Sequence, residues 1–171
     1  WVQHFLNHLN NDGLAGFVLS NGALSSNTSN EGEIRKAMIK NDLVDCIVAL
    51  PDKLFYNTGI PACLWFVTKD KNNPKFRKRQ GETLFIDCRN KGELISRKQR
   101  ELNDEEIKTI TNVYLAWKGD SKCTVKYEDK TGFCISRNIE HIKEKGFVLN
   151  PGKYVGMPPI DDGGELFEDK M

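Results

Sequence analysis

The sequence predicts an α/β fold: a mostly parallel sheet that ends in an antiparallel strand pair, followed by a small α+β extension. Apolar runs of strand length recur at residues 14–20, 43–50 and 62–67. A helical segment separates the first two runs, as in a parallel sheet. Only the loop 51–61 separates the last two, which is too short for a helical crossover, so we expect these strands to pair antiparallel.

The first 70 residues are predicted to hold the core of this fold. Residues 1–10 carry apolar side chains at helical spacing and end at a turn. Residues 14–20 form a nearly continuous apolar run, which is typical of a strand covered on both faces. A helix is predicted near residues 31–41, and the two further strands follow it.

Composition divides the remaining chain into three parts. Residues 71–81 form a basic connector, residues 82–149 form the α+β extension, and residues 150–171 form a Gly- and Pro-rich tail. Both termini resemble cuts rather than natural ends, because the chain opens on Trp1 inside an amphipathic pattern and closes after an acidic stretch. We therefore expect a piece of a longer protein.

The extension contains one strong helix signal. A strand is predicted at residues 83–88, and Asn103 then caps a helix with Glu106 three residues on, in capping-box position. Short strands are predicted near residues 122–127 and 132–137. The buried face of the helix is predicted to carry Ile107, Ile110, Tyr114 and Trp117.

Composition and charge leave the partner of the protein open. The formal net charge of +1 argues neither for nor against nucleic acid, so a DNA-facing surface would have to come from local clusters of Lys and Arg. No apolar run approaches the roughly 20 residues of a membrane span. With no signal peptide either, we expect a cytoplasmic protein with no membrane partner.

The cysteines and histidines predict no metal site. The five cysteines form no CxxC pair and several lie in apolar runs, so buried free thiols are favoured over zinc or disulfide roles. His4 and His8 have the spacing of a helical metal pair. Both point away from the apolar stripe, however, and a solvated face is the favoured interpretation.

Two loops are candidates for binding. The connector carries Lys75, Arg77, Lys78 and Arg79 and either follows a DNA backbone or is a solvated loop. The loop 51–61 places Phe55 and Tyr56 beyond the end of a strand, where α/β sheets hold their ligands. The alternative is that these aromatics fill the core of a hairpin, and the residues alone favour that alternative.

Segments along the whole chain resemble the modification (M) subunit of type I restriction-modification enzymes, in the same order. The matching segments are EGEIRK at 31–36, LVDCIVALP at 43–51, LFYNTGIP at 54–61, TLFIDCR at 83–89, LNDEEI at 102–107, FVLNPGKYV at 147–155 and the pair Pro158-Pro159. Because they are co-linear, these segments are more specific together than any one of them.

The resemblance implies a fold and a function. The fold would be the C-terminal half of a Rossmann-like methyltransferase domain that depends on S-adenosylmethionine, and the function would be N6-adenine DNA methylation. In related enzymes an aromatic residue before the last strand stacks on the flipped adenine, and this position is Phe55 here, with Tyr56 as a weaker candidate. The candidate contacts to the DNA backbone are Lys53, Lys75, Arg77, Lys78 and Arg79.

Two motifs that this family uses for chemistry are absent from the sequence. There is no Gly-rich cofactor loop and no Asn-Pro-Pro-aromatic motif, and Met157-Pro158-Pro159-Ile160 lacks both the Asn and the aromatic. We therefore expect no catalytic residue in this chain, no cofactor-binding residue that can be named, and no activity of the chain alone.

The resemblance also implies partners. They would be double-stranded DNA, the specificity subunit and the restriction subunit, with a homodimer possible for the isolated chain because an incomplete sheet exposes an edge. A different hypothesis is a non-catalytic DNA-binding or subunit-assembly module from a truncated or split gene. An unrelated α/β enzyme is the weakest alternative, since no nucleotide fingerprint or catalytic triad is present.

Overall fold

The computed structural model describes residues 1–157 and contains one five-stranded sheet, one two-stranded hairpin and four α-helices in that range. The helices and strands are α1 (Val2–His8), β1 (Leu14–Ser20), α2 (Glu31–Lys40), β2 (Val44–Ala49), β3 (Ala62–Thr68), β4 (Glu82–Asp87), β5 (Glu93–Ser96), β6 (Gln99–Glu101), α3 (Asp104–Lys118), β7 (Cys134–Asn138) and α4 (Ile139–Glu144).

The main sheet has the order β1-β3-β2-β4-β7. Strand β3 pairs antiparallel with both β1 and β2, β2 pairs parallel with β4, and β7 pairs antiparallel with β4. Strands β1, β2 and β4 therefore point the same way, and β3 is inserted between two of them. The predicted α/β class and the predicted antiparallel pairing of β2 with β3 are confirmed.

Two apolar layers cover the faces of this sheet. On one face, α1, α2 and α4 pack over a cluster that includes Ile47, Trp65 and Phe85. On the other face, α3 packs over a cluster that includes Val48, Ile86 and Trp117. Strand β2 is central and every one of its residues is buried, including the charged residue Asp45 within an otherwise apolar run.

Strand β1 differs from its prediction. The apolar run predicts cover on both faces, but the residues of β1 alternate between exposed and half-buried. Phe17 and Leu19 pack on the cluster around Trp65, whereas Leu14 and Val18 on the opposite face are 42% and 49% exposed. Within residues 1–157 β1 is an edge strand, and α3 does not reach its second face.

The extension is integrated into the sheet rather than separate from it. Strand β4 pairs with β2, so residues 71–81 connect two strands of one sheet. The capping box of α3 is confirmed, since Glu106 N donates to Asn103 Oδ1 at 2.9 Å and Asn103 N donates to Glu106 Oε2 at 3.1 Å. Ile107 is 48% exposed, contrary to the prediction that it lies on the buried face.

The predicted strand at 122–127 is wrong. These residues form turns and irregular structure, and β7 is the strand that pairs with the outer edge of β4. Tyr127 instead packs on the core around Trp117 and donates its hydroxyl hydrogen to Asp129 Oδ1 at 2.7 Å. One hydrogen bond and one half-buried ring thus hold this segment in place of a ladder of backbone hydrogen bonds.

The start of the tail also belongs to the core. Pro151, Tyr154 and Val155 are buried, and the Tyr154 ring stacks on Phe85 with centroids 4.1 Å apart. The pair Pro158-Pro159 and the rest of the tail lie outside the described residues. Four of the cysteines are buried free thiols as predicted, and Cys123 is half-buried.

Candidate functional site

The carboxyl ends of the three strands that share a direction meet at one end of the sheet. Ser20 ends β1, Ala49 ends β2 and Asp87 ends β4. We call this the carboxyl end of the sheet, and the opposite side the amino end. In open α/β sheets ligands bind outside the carboxyl ends of the strands, so this is where a site is expected.

The loop of residues 50–61, named here the aromatic loop, projects from the carboxyl end. Leu50 N donates to Ala62 O at 2.9 Å, which closes the loop at its base. Phe55 and Thr58 form an isolated antiparallel bridge, with Thr58 N donating to Phe55 O at 3.3 Å. Ile60 N then donates to Thr58 Oγ1 at 3.1 Å. These bonds hold the aromatic side chains on a narrow turn.

The two aromatics of this loop do not fill the core. Phe55 is 41% exposed and Tyr56 is 84% exposed. Phe55 lines a shallow cleft of about 410 Å³ together with Val18 and Ile60. The alternative in which both rings plug a hairpin core is therefore not what the structure contains, and an apolar ring with a free face remains beside an open cleft.

A small hairpin buttresses the aromatic loop. Strands β5 and β6 pair only with each other among residues 1–157. Arg100 N on β6 donates to Lys53 O at 2.8 Å, and Arg100 Nε lies 3.4 Å from Asp52 Oδ1. Lys53 is half-buried and has a left-handed backbone with φ +60°. One backbone bond and one ion pair thus connect the hairpin to the loop.

Sequence reasoning missed an ion pair at the carboxyl end of β4. Arg89 donates to Asp87 through Nε at 2.9 Å and through Nη2 at 2.6 Å, and this bonding raises the pKa of Arg89. A Cβ on Gly152 would stand 2.1 Å from Arg89 Nη2, so the pair packs directly against that glycine. The glycine of the segment NPGKY at 150–154 leaves the space that the Arg89 side chain occupies.

The predicted basic connector lies at the amino end of the sheet. It leaves β3 beside the start of β2 and enters β4 at Glu82. A strand of about six residues spans about 20 Å, so this is the separation between the connector and the aromatic loop. The structure therefore brings together Lys53, Phe55 and Tyr56, and it places the other candidate residues elsewhere.

The arginines of the connector are engaged within the protein. Arg79 is 1% exposed and its Nε donates to Asp45 Oδ1 at 3.1 Å. The prediction that Arg79 contacts DNA is therefore wrong, because no phosphate reaches a buried guanidinium. Arg77 donates to Glu82 Oε2 at 2.6 Å and packs over the Trp117 ring at 4.9 Å.

Of the lysines in the connector, two are exposed and one is buried. Lys75 and Lys78 are exposed, and for them a DNA contact stays a prediction. Lys71 is buried and donates to Asp42 Oδ1 at 2.6 Å and to Glu82 O at 2.6 Å. Burial lowers the pKa of Lys71, while its bond to Asp42 opposes that shift.

The described residues offer no metal site at the histidines or elsewhere. His8 Nδ1 lies 2.9 Å from His4 O, and both side chains are exposed on α1. Within residues 1–157 no group of three or more His, Cys, Asp or Glu side chains is placed to hold a metal ion. Nor does this range contain a helix that is long and apolar enough to cross a membrane.

The chain combines an inverted strand between two parallel ones with an aromatic loop at the carboxyl end of the sheet. The family model described as N-6 DNA Methylase matches residues 1–162, and the chain belongs to this family. The resemblance to type I M subunits that the sequence carries is thereby confirmed.

Curated relatives are methylase subunits of type I restriction enzymes. The HindI methylase subunit of Haemophilus influenzae is 46% identical over 171 residues, which are 100% of this chain and 36% of that protein. The MjaIX methylase subunit of Methanocaldococcus jannaschii is 45% identical over 174 residues, covering 100% of this chain and 29% of that protein. The chain thus spans about a third of the length of these relatives.

Solved structures agree with the fold. The type I restriction-modification methyltransferase subunit from Streptococcus thermophilus superposes with a TM-score of 0.74 at 28% identity, over 90% of this chain and 29% of that one. The M protein of the type I restriction enzyme EcoKI superposes with a TM-score of 0.64 at 16% identity, over 86% of this chain and 35% of that one, which supports the fold alone.

Proposed function

We propose that this chain is part of a site-specific DNA adenine-N6 methyltransferase, the M subunit of a type I restriction-modification system. It would act on double-stranded DNA together with a specificity subunit and a restriction subunit. The single observation that carries the proposal is the position of Phe55. In a chain of the N-6 DNA methylase family, its half-exposed ring stands on a braced loop at the carboxyl end of the sheet.

The chemistry explains why such a ring is needed. The adenine amine is paired inside the duplex, so an enzyme that modifies it takes the base out of the stack. A flipped base loses its stacking partners, and an aromatic side chain replaces them with roughly 1–3 kcal/mol per base. Phe55 lines the cleft and offers that face, and Tyr56, which is more exposed, is the second candidate.

S-adenosylmethionine would supply the methyl group, but the described residues do not form its site. No Gly-rich loop joins a strand to a helix in residues 1–157, and β1 is followed by the short 3₁₀ turn Asn21–Leu24. The role that this chain's own residues support is to hold the target base beside the carboxyl end of the sheet.

The proposal predicts different activities for the chain alone and for the longer protein that contains it. Methyl transfer from labelled S-adenosylmethionine to DNA is expected for the longer protein with its specificity subunit, and none is expected for residues 1–171 alone. Measurable transfer by the isolated chain would refute the second expectation. No transfer by the complete assembly would refute the proposed function.

The second candidate function is a non-catalytic module for DNA binding or subunit assembly. It is favoured by one observation, namely that the sequence contains no Asn-Pro-Pro-aromatic motif. Reading the coding sequence upstream of Trp1 discriminates the two. An in-frame Gly-rich loop and an Asn-Pro-Pro-Phe or Asn-Pro-Pro-Tyr motif support the enzyme, whereas a start codon adjacent to Trp1 supports the module.

The isolated chain is further proposed to form a homodimer through β1. This strand has no charged residue, no proline and a continuous register against β3, and its Leu14 and Val18 side chains are exposed. An apolar edge of this kind is a template for pairing with another strand. Light scattering at high concentration is expected to report a dimer, and a clean monomer would argue against the proposal.

A further inference from the structure

The β5–β6 hairpin contains a basic tip that the proposed function does not yet use. The turn between the strands carries Arg97 and Lys98, and both side chains are exposed. We propose that this tip binds the phosphate backbone of double-stranded DNA beside the base that Phe55 contacts. The inference rests on the proposed function and names a further DNA-binding surface of the same site.

The base of the hairpin is held firmly. Gly92 N donates to Glu106 Oε1 at 2.8 Å, which fixes the first strand to the start of α3. Arg100 Nη1 on the second strand donates to Gly92 O at 2.8 Å. Gly92 has φ +78°, and a Cβ there would stand 2.7 Å from Glu101 O, so the strands approach more closely than another residue would allow. The tip therefore projects from a fixed base.

The same base is joined to the aromatic loop. The bond from Arg100 N to Lys53 O, at 2.8 Å, lies two residues before Phe55 along the chain. The ion pair of Arg100 with Asp52 adds a second connection. Because two contacts link the elements, the positions of the hairpin tip and of the Phe55 ring are set by the same residues. For a ligand that contacts the Phe55 ring, the hairpin tip therefore lies at a defined distance from that ring.

The hairpin exposes large apolar side chains, which is unusual for an element that binds no partner. Leu94 and Ile95 are 54% and 55% exposed, and the register of the hairpin shifts between Leu94 and Ser96, so Ile95 has no cross-strand partner. A two-stranded hairpin is marginal in water by itself. Among the described residues, neither face of this one is covered by the apolar layers that surround the main sheet. These features favour a surface that is completed by binding.

The charge distribution favours DNA as the partner. The carboxylates of Glu93 and Glu101 lie opposite each other at the base, and the cations of Arg97 and Lys98 lie at the tip. A polyanion is therefore attracted to the tip and repelled from the base. A two-stranded ribbon also has the width to enter the major groove of DNA, where apolar side chains can contact thymine methyl groups.

The geometry gives the position of the contact. Two to three residues separate Arg100 from the tip, which is roughly 7–10 Å along a strand. One base pair rises about 3.4 Å. A hairpin that lies along the duplex, starting beside the target base, would therefore reach phosphates about two to three positions from the target adenine. This expectation can be tested independently of any protein variant.

The test uses the full-length methyltransferase assembled with its specificity subunit. Arg97→Gln/Lys98→Gln is compared with wild type in DNA titrations by fluorescence anisotropy at several salt concentrations. The slope of log K against log salt is negative, and the loss of two phosphate contacts reduces its magnitude by about 1.8. Binding near 0.15 M salt is then weakened roughly 30-fold. The matched control Lys122→Gln/Lys126→Gln neutralises two other exposed lysines and is expected to leave the slope unchanged.

Modified DNA provides the second measurement. Neutral methylphosphonate linkages two to three positions from the target adenine are expected to weaken wild type and to leave Arg97→Gln/Lys98→Gln nearly unaffected. Equal slopes for wild type and variant overturn the inference. So does a variant whose assembly with the specificity subunit is weakened while the slope of the assembled fraction equals that of wild type, because the tip then binds protein. A wild-type assembly that does not methylate DNA instead refutes the proposed function, and the two failures are distinguishable.

Discussion

Arg79 Nε donates a hydrogen bond to Asp45 Oδ1 at 3.1 Å, and both side chains are almost completely buried. Tyr114 donates its hydroxyl hydrogen to the other oxygen, Asp45 Oδ2, at 2.7 Å. Burial and the neighbouring carboxylate raise the pKa of Tyr114, so it remains a donor at any physiological pH. One carboxylate thus connects β2, the basic connector and α3 inside the core.

We predict that Arg79→Met destabilises the protein by about 3–5 kcal/mol, because a buried carboxylate loses its charged partner. Urea denaturation of the variant and of wild type measures the difference. Lys78→Met is the matched control, since Lys78 is the exposed neighbour and such a change is usually worth within about 0.5 kcal/mol. Equal losses in both variants would show that the Asp45 pair is not the cause.

Phe55→Ala is predicted to affect the target base more than the cofactor. The loss of a stacking interaction worth roughly 1–3 kcal/mol corresponds to about a 5- to 150-fold decrease in kcat/KM for DNA. Steady-state methylation by the full assembly measures this loss, and calorimetry measures cofactor affinity, which is expected to stay within about two-fold of wild type. Phe55→Trp preserves an aromatic face and is expected to retain most activity. Unchanged kinetics in Phe55→Ala would return the ring to a packing role.

The order of the elements from α1 to β4 was predictable because apolar periodicity reports it directly, whereas β5, β6 and α4 were not predicted. The antiparallel β2–β3 pair followed from the length of the loop 51–61, and the capping box followed from Asn103 and Glu106. The exposure of β1 was not predictable, because a continuous apolar run has the same sequence whether or not neighbouring elements cover it. The burial of β1 depends on which other elements pack against its two faces.

The role of the basic connector was unpredictable for a different reason. Asp45, whose carboxylate pairs with the buried Arg79, is 34 residues away in sequence. The register of β2 against β3 shifts between Val44 and Cys46, at this same residue. A β-bulge redirects side chains, and the local sequence pattern of β2 did not indicate this bulge. A basic run therefore looked like a solvated or DNA-facing loop. The aromatic loop was singled out because it follows a strand end, but the residues alone favoured a packed core for Phe55 and Tyr56, and only the family resemblance favoured base stacking.

The cysteines provide a chemical test of the core. Burial raises the pKa of Cys63 to about 11 and of Cys88 to about 12, so at about pH 8 roughly 0.1% or less of either is the reactive thiolate. We predict that a chromogenic disulfide reagent modifies Cys123 first and the other four thiols only after unfolding. Cys123→Ser is expected to remove the fast phase. Rapid modification of four or more thiols in native protein would contradict the buried assignment.

The pKa of Cys88 is raised by several causes of the same sign. Desolvation by burial is the largest, and the adjacent Asp87 carboxylate adds to it, while Lys91 opposes them. Cys63 is buried as well, but bonds from Trp65 and to the backbone partly offset its shift. Cys88 is therefore expected to be the slower of the two to react when the protein is partly destabilised. Mass spectrometry after timed labelling measures this order.

Glu106 gives the stability of the hairpin base a defined pH dependence. Its carboxylate accepts hydrogen bonds from Gly92 N and Asn103 N, and these bonds hold its pKa below the ordinary value of 4.5. A carboxyl group with a lowered folded pKa stabilises the protein above its unfolded pKa, and this contribution is lost as pH falls through the folded pKa. Glu106→Gln is therefore predicted to be less stable than wild type at about pH 7, with the difference shrinking below pH 4.5.

Urea midpoints at about pH 7 and about pH 3 measure the effect of Glu106→Gln, and hydrogen exchange at residues 92–101 reports where it acts. Glu105→Gln is the matched control, because Glu105 lies in the same first turn of α3 and is exposed. The control variant removes a similar helix-dipole interaction without touching the hairpin, so its exchange at residues 92–101 should match wild type. A Glu106→Gln variant whose deficit persists unchanged at low pH would show that the two carboxylate hydrogen bonds are not its source.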